Sequence, residues 1–139
     1  MLILNSLSGS GRHQPTVRRA ARDRLIDVRQ LRASHRAEAL ARDAVHDGAQ
    51  VLLAAGDGTV SAVAAVAVEH NIPLVVVPCG TRNHFAKDSW ADVTDPAGEL
   101  AALDDGDEIR GRCRGGQRPS VSRQRLGLLL RRDGARCRV

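Results

Sequence analysis

Aromatic side chains are nearly absent from this sequence of 139 residues, in which Phe85 and Trp90 are accompanied by no tyrosine. Single-stranded nucleic acid is usually bound on several aromatic faces, so this composition argues against a stacking platform of that kind. Apolar residues still make up 42% of the chain, and valine, leucine and alanine must therefore build the core. The length allows one compact domain and excludes a large multidomain enzyme.

Paired cysteines and metal-binding motifs are missing as well. The three cysteines, Cys79, Cys113 and Cys137, form no CxxC pair, and the five histidines form no HExxH motif. These absences argue against a disulfide scaffold and a zinc knuckle, and also against a metal site built by this chain alone.

No targeting or membrane-spanning segment is evident. The N-terminal apolar run is short and follows no basic segment, unlike a signal peptide. The longest apolar stretch, Val60–Val68, falls well below the roughly 20 residues that cross a bilayer. We therefore expect a cytoplasmic protein, and peripheral contact with the inner membrane face is compatible with that expectation.

Positive charge is concentrated at one end of the chain, although the whole sequence has a formal charge of +5 and a pI near 10.3. Residues 1–109 hold eleven basic and fifteen acidic side chains, a formal charge of −4. Residues 110–139 hold ten arginines and one acidic residue, Asp133, a formal charge of +9. The basic pI is therefore due to the C-terminal segment, and we expect no specific nucleic-acid partner for residues 1–109.

Apolar runs alternate with helix-forming segments along residues 1–109. In the clearest helix, Ala37, Leu40, Ala41, Ala44 and Val45 fall on one stripe of a 3.6-residue period. Buried strands alternating with helices are typical of a parallel sheet covered on both faces, so we predict a three-layer α/β domain. Strands are predicted at residues 1–5, 26–31, 51–55 and 74–78, and helices at about 15–25, 37–47, 60–70, 84–90 and 96–103.

The loop Gly56–Thr59 lies between a buried strand and a buried helix. Glycines there allow a close approach of the backbone to a ligand, and the free N–H groups of the following helix favour an anion. Asp57 beside a phosphate requires a cation or a ribose hydroxyl as a companion, which points to Mg²⁺ or a nucleotide sugar. The alternative is an ordinary Asp-Gly turn that joins strand to helix.

Two further polar loops, Asn5–Arg12 and Pro78–Asn83, follow predicted strands in the same way. In a parallel sheet all three loops emerge at the carboxyl edge, where open α/β folds bind their ligands. Neither a Walker A sequence nor a complete GxGxxG fingerprint is present. The convergence of three glycine-containing loops is therefore the main indication of a ligand site.

The three loops, in this order and spacing, resemble those of the diacylglycerol kinase catalytic-domain family, which includes bacterial lipid kinases and is related to sphingosine kinases. The resemblance covers roughly residues 1–109. The GDGT sequence alone also occurs in NAD kinases and phosphofructokinases, and the third loop favours lipid kinases. The matching positions are Asn5, Ser8 and Gly9, then Gly56, Asp57, Gly58 and Thr59, and then Pro78, Gly80, Thr81, Asn83, Phe85 and Ala86.

The resemblance implies a nucleotide-binding domain that uses ATP and Mg²⁺ to phosphorylate a lipid hydroxyl, such as that of diacylglycerol. Asp57 would contact Mg²⁺ or the nucleotide. Positioning and charge neutralisation dominate phosphoryl transfer, so loops of this kind can do much of the work. The implied nucleotide-binding residues are Asn5, Ser8, Gly9, Gly56, Asp57, Gly58, Thr59, Gly80, Thr81 and Asn83.

The sequence departs from the family pattern at several positions of the same loops. Ser6 replaces the usual proline after Asn5, and Ala55 replaces the first glycine of GGDGT. The usual Asn-Glu pair after GDGT is Ser61-Ala62. Arg82 and His84 stand where GTGNDFA has glycine and aspartate. Arg82 is either an additional phosphate contact or a solvated charge, and His84 is interpreted as the start of a helix.

Family members are about twice as long and carry a second, β-rich domain that completes the cleft. We therefore expect a truncated lipid kinase whose acceptor-side base lies in that second domain, and no residue of this chain is assigned as the catalytic base. Apolar surface that the second domain would cover makes a homodimer compatible with this interpretation. Two alternatives are a non-catalytic nucleotide-binding fragment and an NAD-kinase-like nucleotide kinase.

The segment 110–139 shows no clear period of 2 or 3.6 residues, apart from a brief apolar run at Leu126–Leu130, and is predicted to be an irregular tail separate from the domain at 1–109. It is interpreted as a basic arm that contacts anionic lipid, an arm that binds nucleic acid, an inert disordered tail or a product of a shifted reading frame. The frame hypothesis follows from twenty arginines against one lysine, a bias typical of GC-rich genes.

Overall fold

A computed structural model describes residues 1–5, 11–32, 36–80, 82–88, 91–111 and 126–130. The described chain forms six strands, five α-helices and one 3-10 turn. In chain order these are β1 (Leu2–Asn5), α1 (Gln14–Asp23), β2 (Val28–Leu31), α2 (Ala37–His46), β3 (Leu52–Ala55), α3 (Asp57–His70), β4 (Leu74–Val77), α4 (His84–Asp88), the 3-10 turn Gly98–Ala101, α5 (Ala102–Asp105), β5 (Asp107–Gly111) and β6 (Leu126–Leu130).

All six strands join one sheet in the order β2-β1-β3-β4-β6-β5. The first five strands in this order run parallel, and β5 pairs antiparallel with β6 at the edge. The central strands β1, β3 and β4 are apolar and buried along almost their whole length, because helices cover both faces of a parallel sheet. The predicted three-layer α/β architecture is thus confirmed.

The two faces of the sheet carry separate helical layers. Helices α2, α3 and α4 pack on one face, where Ile3, Leu52 and Val76 belong to the same core as Val63 of α3. Helices α1 and α5 pack on the other face, where Val17 belongs to a second core together with the strand side chains that alternate with those of the first core. Alternation of strand side chains between the faces gives each layer its own core.

Most predicted strands and helices are present, with ends that usually differ by one or two residues, and two segments differ more. Helix α3 begins at Asp57, three residues before the predicted start, so the glycine loop is itself the first turn of the helix. The helix predicted at 96–103 is replaced by the 3-10 turn followed by α5. The final residues of the helix predicted at 84–90 lie outside the described residues.

Part of the segment predicted as an irregular tail belongs to the sheet. Strand β5 crosses the proposed boundary between residues 109 and 110, and β6 lies between β4 and β5. For this part of the tail, the prediction of an irregular structure separate from the domain is therefore wrong. None of the described helices combines the length and the apolar composition that crossing a bilayer demands.

Candidate nucleotide-binding site

The order of the strands places a crevice between the loops that leave β1 and β3. After β1 the chain crosses to β2 on one side, and after β2 it crosses back to β3 on the other side of β1. In open α/β sheets, ligands bind outside the carboxyl ends of the strands at such a reversal. Strand β4 neighbours β3, so its loop borders the same crevice. The sheet therefore brings the ends of these three strands to one edge, as the sequence predicts.

Gly56 gives the second loop its shape. It is buried, adopts φ +92°, a conformation that a side chain would strain, and caps α3 without a side-chain hydrogen bond. The first intrahelical bond runs from the Val60 N–H to the Gly56 carbonyl, at 2.8 Å. The preceding N–H groups, at residues 57–59, therefore have no acceptor within the helix, which is the arrangement that favours an anion.

Space for a ligand lies over this first turn at Gly58. Gly58 is exposed, and a Cβ built on it would meet no atom within 4 Å. Thr59 differs, since it is only 3% exposed and its side chain faces the protein. Gly58 thus presents its backbone to the open side, while a ligand would meet Thr59 through its N–H group.

The Asp57 carboxylate links the second loop to the third. Its Oδ1 accepts a hydrogen bond from the Phe85 N–H at 3.3 Å, across 28 residues of sequence. Its carbonyl accepts a bond from the Ser61 hydroxyl at 3.1 Å. The aspartate therefore holds α4 against α3 in addition to any role toward a ligand.

Gly80 is the point at which the two loops touch. A Cβ there would lie 3.0 Å from Asn83 Oδ1, 3.4 Å from Gly56 Cα and 3.5 Å from the Asp57 nitrogen. The Gly80 N–H donates to Asn83 Oδ1 at 2.7 Å, and Asn83 adopts a left-handed φ of +49°. Asn83 therefore closes the third loop on itself with its side-chain oxygen, and the missing side chain at Gly80 lets this loop rest on the second.

Asn5 ends β1 and anchors the first helix. Its carbonyl accepts a hydrogen bond from Gln14 Nε2 at 3.1 Å, which ties the first turn of α1 to the end of the strand. Of the other implied nucleotide-binding residues, Ser8, Gly9 and Thr81 lie outside the described residues. Nucleotide contacts by all ten residues stay a prediction. Those that shape the loops through their own contacts and backbone conformations are Asn5, Gly56, Asp57, Gly80 and Asn83.

Two contributors were not identified from the sequence as site residues. The Phe85 N–H and the Gln14 side chain position the loops through hydrogen bonds to Asp57 and Asn5. Phe85 belongs to the family motif, but only the fold shows that its backbone is used. Gln14 carries no signal in the sequence, because its partner is a backbone carbonyl.

With the described residues of this edge, a magnesium ion would need a nucleotide as co-ligand. Among the described residues, no three histidine, cysteine, aspartate or glutamate side chains form a cluster that could hold a metal. Mg²⁺ is commonly held by one or two carboxylates together with substrate phosphates and water. Asp57, beside the open first turn of α3, suits that arrangement.

Cys79 lies at the start of the third loop, two residues after β4, with 6% of its surface exposed. Burial raises the pKa of the Cys79 thiol to about 11. At about pH 8 the thiolate fraction is then about 100-fold below that of a cysteine in an unfolded chain, and we expect correspondingly slow alkylation by iodoacetamide. Peptide mass spectrometry over time measures the rate, with the protein in concentrated urea as the control. Equal rates in both states would contradict a buried thiol.

Substitution of Gly56 tests the shape of the second loop. We expect Gly56→Ala to cost about 1–2 kcal/mol of stability, because an L-residue is strained at φ +92°, and to weaken Mg·ATP binding about tenfold through displaced N–H groups. Gly48→Ala is the matched control, since Gly48 has the same φ, a Cβ on it would meet no atom within 4 Å, and it precedes β3 at the opposite edge. Calorimetric titration with Mg·ATP and urea unfolding measure both effects. Equal ATP affinities in the two variants would contradict the assignment.

A comparison with curated protein sequences finds no significant match. A comparison with protein families matches residues 1–112 to the diacylglycerol kinase catalytic domain. The match includes all three loops at the carboxyl edge and ends just after β5. The chain therefore belongs to the diacylglycerol kinase catalytic domain family.

Proposed function

We propose that this chain binds Mg·ATP at the carboxyl edge of its sheet as part of a kinase that phosphorylates a lipid hydroxyl, such as that of diacylglycerol. The observation that carries the proposal is the first turn of α3, with Gly56 at φ +92° and open space over Gly58. Family membership supports the reaction class, and the geometry supports the binding of a polyphosphate.

The residues of the second loop would hold the phosphates. The N–H groups of residues 57–59 lie in the first turn of α3, where the positive end of the helix dipole adds to them. The contact of Gly80 with Gly56 and Asp57 keeps the third loop beside this turn. Such a rigid pair of loops positions the γ-phosphoryl group without reorganisation during the reaction.

Asp57 would hold the metal through the carboxylate whose Oδ1 already accepts the Phe85 N–H. When bound, Mg²⁺ neutralises charge on the transferring phosphoryl group. In the transfer itself, the acceptor hydroxyl oxygen forms a bond to the γ-phosphorus as the bond to ADP breaks, and the hydroxyl proton passes to a base. The three loops at the carboxyl edge serve the donor side of this reaction.

A lipid acceptor locates the reaction at a bilayer surface. ATP is supplied in the cytoplasm, and we therefore propose a cytoplasmic location with peripheral contact at the inner membrane face. The charge of −4 on residues 1–109 means that any attraction to anionic lipid must come from particular surfaces and not from the net charge of the domain.

The deciding experiment combines calorimetric titration with a transfer assay. The full chain is titrated with Mg·ATP and then incubated with γ-labelled ATP and diacylglycerol in mixed micelles, with NAD as a second acceptor. Binding together with label on the lipid supports the proposal, and label on NAD would replace it with a nucleotide kinase. Binding without transfer would identify a non-catalytic nucleotide-binding chain, and absence of binding would reject each of these functions.

A further inference from the structure

We propose that the outer face of α1, together with Leu25 beyond its end, docks on an anionic phospholipid bilayer. This inference rests on the proposed function, because a lipid acceptor must be reached at a membrane. It assigns the contact to a named surface within the folded domain, which is independent of the basic segment after residue 110.

Basic charge is concentrated along α1 and its flanks. Residues 12–24 contain five arginines and one acidic residue, Asp23, a formal charge of +4. The rest of residues 1–109 contains six basic and fourteen acidic side chains, a formal charge of −8. One helix of an otherwise acidic domain thus carries the positive surface that an anionic bilayer would attract.

The fold directs these charges outward. Val17 and Ala21 of α1 are fully buried against the sheet, whereas Arg19 and Arg22 are exposed on the outer side. Arg24 pairs with Asp104 at 3.3 Å. Arg19 and Arg22 pair with no carboxylate of the described residues, so their charges are available to a partner.

Leu25 adds an exposed apolar group just beyond the end of α1. It is 94% exposed and is held at a left-handed φ of +54°. Backbone bonds from the N–H groups of Leu25 and Ile26 to the carbonyls of Arg22 and Ala21, at 3.0 and 2.9 Å, fix this turn. Glycine and asparagine adopt a left-handed conformation more readily than leucine does, and leucine is usually buried. Neither backbone preference nor packing therefore explains a leucine at position 25.

Arginines beside an exposed leucine form the combination found on interfacial helices, in which basic groups meet lipid phosphates and an apolar side chain enters the acyl boundary. A nucleic-acid partner would account for the arginines but would leave Leu25 without a role. The Gln14–Asn5 hydrogen bond ties the start of α1 to the end of β1. A bilayer in contact with the whole of α1 would therefore extend from Leu25, just before β2, to the carboxyl edge of the sheet, where α1 begins.

The test is sedimentation of the full chain with phosphatidylcholine vesicles containing one third phosphatidylglycerol. Each arginine contributes about fivefold near an anionic surface, so Arg19→Gln/Arg22→Gln should weaken binding about 25-fold. Leu25→Asn changes no charge and fits the left-handed backbone, and we expect it to weaken binding about fivefold. Both variants should keep the Mg·ATP affinity of the wild type, so failure of docking is distinguishable from failure of the nucleotide site.

Two double variants serve as matched controls. Arg32→Gln/Arg36→Gln removes two exposed charges from the chain between β2 and α2, and Arg131→Gln/Arg132→Gln removes two of the charges near the C-terminal end of the sequence. Equal weakening by all three double variants would show a general charge effect and overturn the proposal. An unchanged affinity for Leu25→Asn would also overturn it. If Arg19→Gln/Arg22→Gln instead weakened binding to a labelled DNA duplex and left vesicle binding intact, the partner of this surface would be nucleic acid and not the bilayer.

Discussion

Leu126→Ala should lower the free energy of unfolding by about 3 kcal/mol, the usual loss for a leucine removed from a packed core. Leu126 is 1% exposed and belongs to the same core as side chains of α2 and α3. A loss of this size reduces the ratio of folded to unfolded protein by more than a hundredfold. Urea unfolding followed by circular dichroism measures it.

The surroundings of β6 give the physical basis for this expectation. Leu128 pairs with Leu74 of β4, and the whole of β6 pairs with β5. A Cβ on Gly106 would overlap the Ala102 carbonyl and lie 2.8 Å from the Leu130 carbonyl, so the backbone before β5 rests directly on the end of β6. Strand β6 is thereby enclosed between two strands and the turn after α5.

Leu25→Ala provides the control, because it makes the same chemical change at a side chain that is 94% exposed. It should leave the free energy of unfolding within about 0.5 kcal/mol of the wild-type value. If Leu126→Ala were equally silent, residues 126–130 would not belong to the folded core. That outcome would favour the interpretations of the C-terminal segment as an inert tail or as the product of a shifted reading frame.

The sequence predicts β6 as part of an irregular tail, whereas it predicts the central strands correctly, and the reason lies in their local sequences. Strands β1, β3 and β4 are continuous apolar runs bounded by polar loops, and such runs predict buried parallel strands without knowledge of their neighbours. The run Leu126–Leu130 is equally apolar but is surrounded by arginines and glycines. Its assignment depends on the pairing of Leu128 with the distant Leu74 of β4, which local composition does not reveal.

The candidate site likewise combines features that the sequence predicts with features that only the fold reveals. The positions of the three loops follow from the alternation of strands and helices, since parallel strands end at one edge. The contact of Gly80 with Gly56 and the bond from Phe85 to Asp57 join loops that are far apart in the sequence. Sequence spacing could therefore indicate which segments converge, while the mutual positions of their atoms required the packing of α4 against α3.

Asp57→Asn should reduce lipid phosphorylation about 1,000-fold and remove its dependence on Mg²⁺, if the proposed function is correct. The amide oxygen of asparagine can still accept the Phe85 N–H, so the link between the second and third loops is kept. The negative charge needed to hold a divalent cation is lost. The variant therefore separates the structural role of residue 57 from its proposed role toward the metal.

The measurement is calorimetric titration with ATP at increasing Mg²⁺ concentration, alongside the transfer assay and urea unfolding. The wild-type affinity should rise with Mg²⁺, whereas that of Asp57→Asn should stay at the metal-free level with unfolding unchanged. Asp43→Asn removes the same charge from the exposed face of α2 and should match the wild type throughout. If the ATP affinity of Asp57→Asn still rose with the Mg²⁺ concentration, the metal would be held by ligands other than Asp57. The first turn of α3 would then bind phosphate without a contribution from the Asp57 carboxylate.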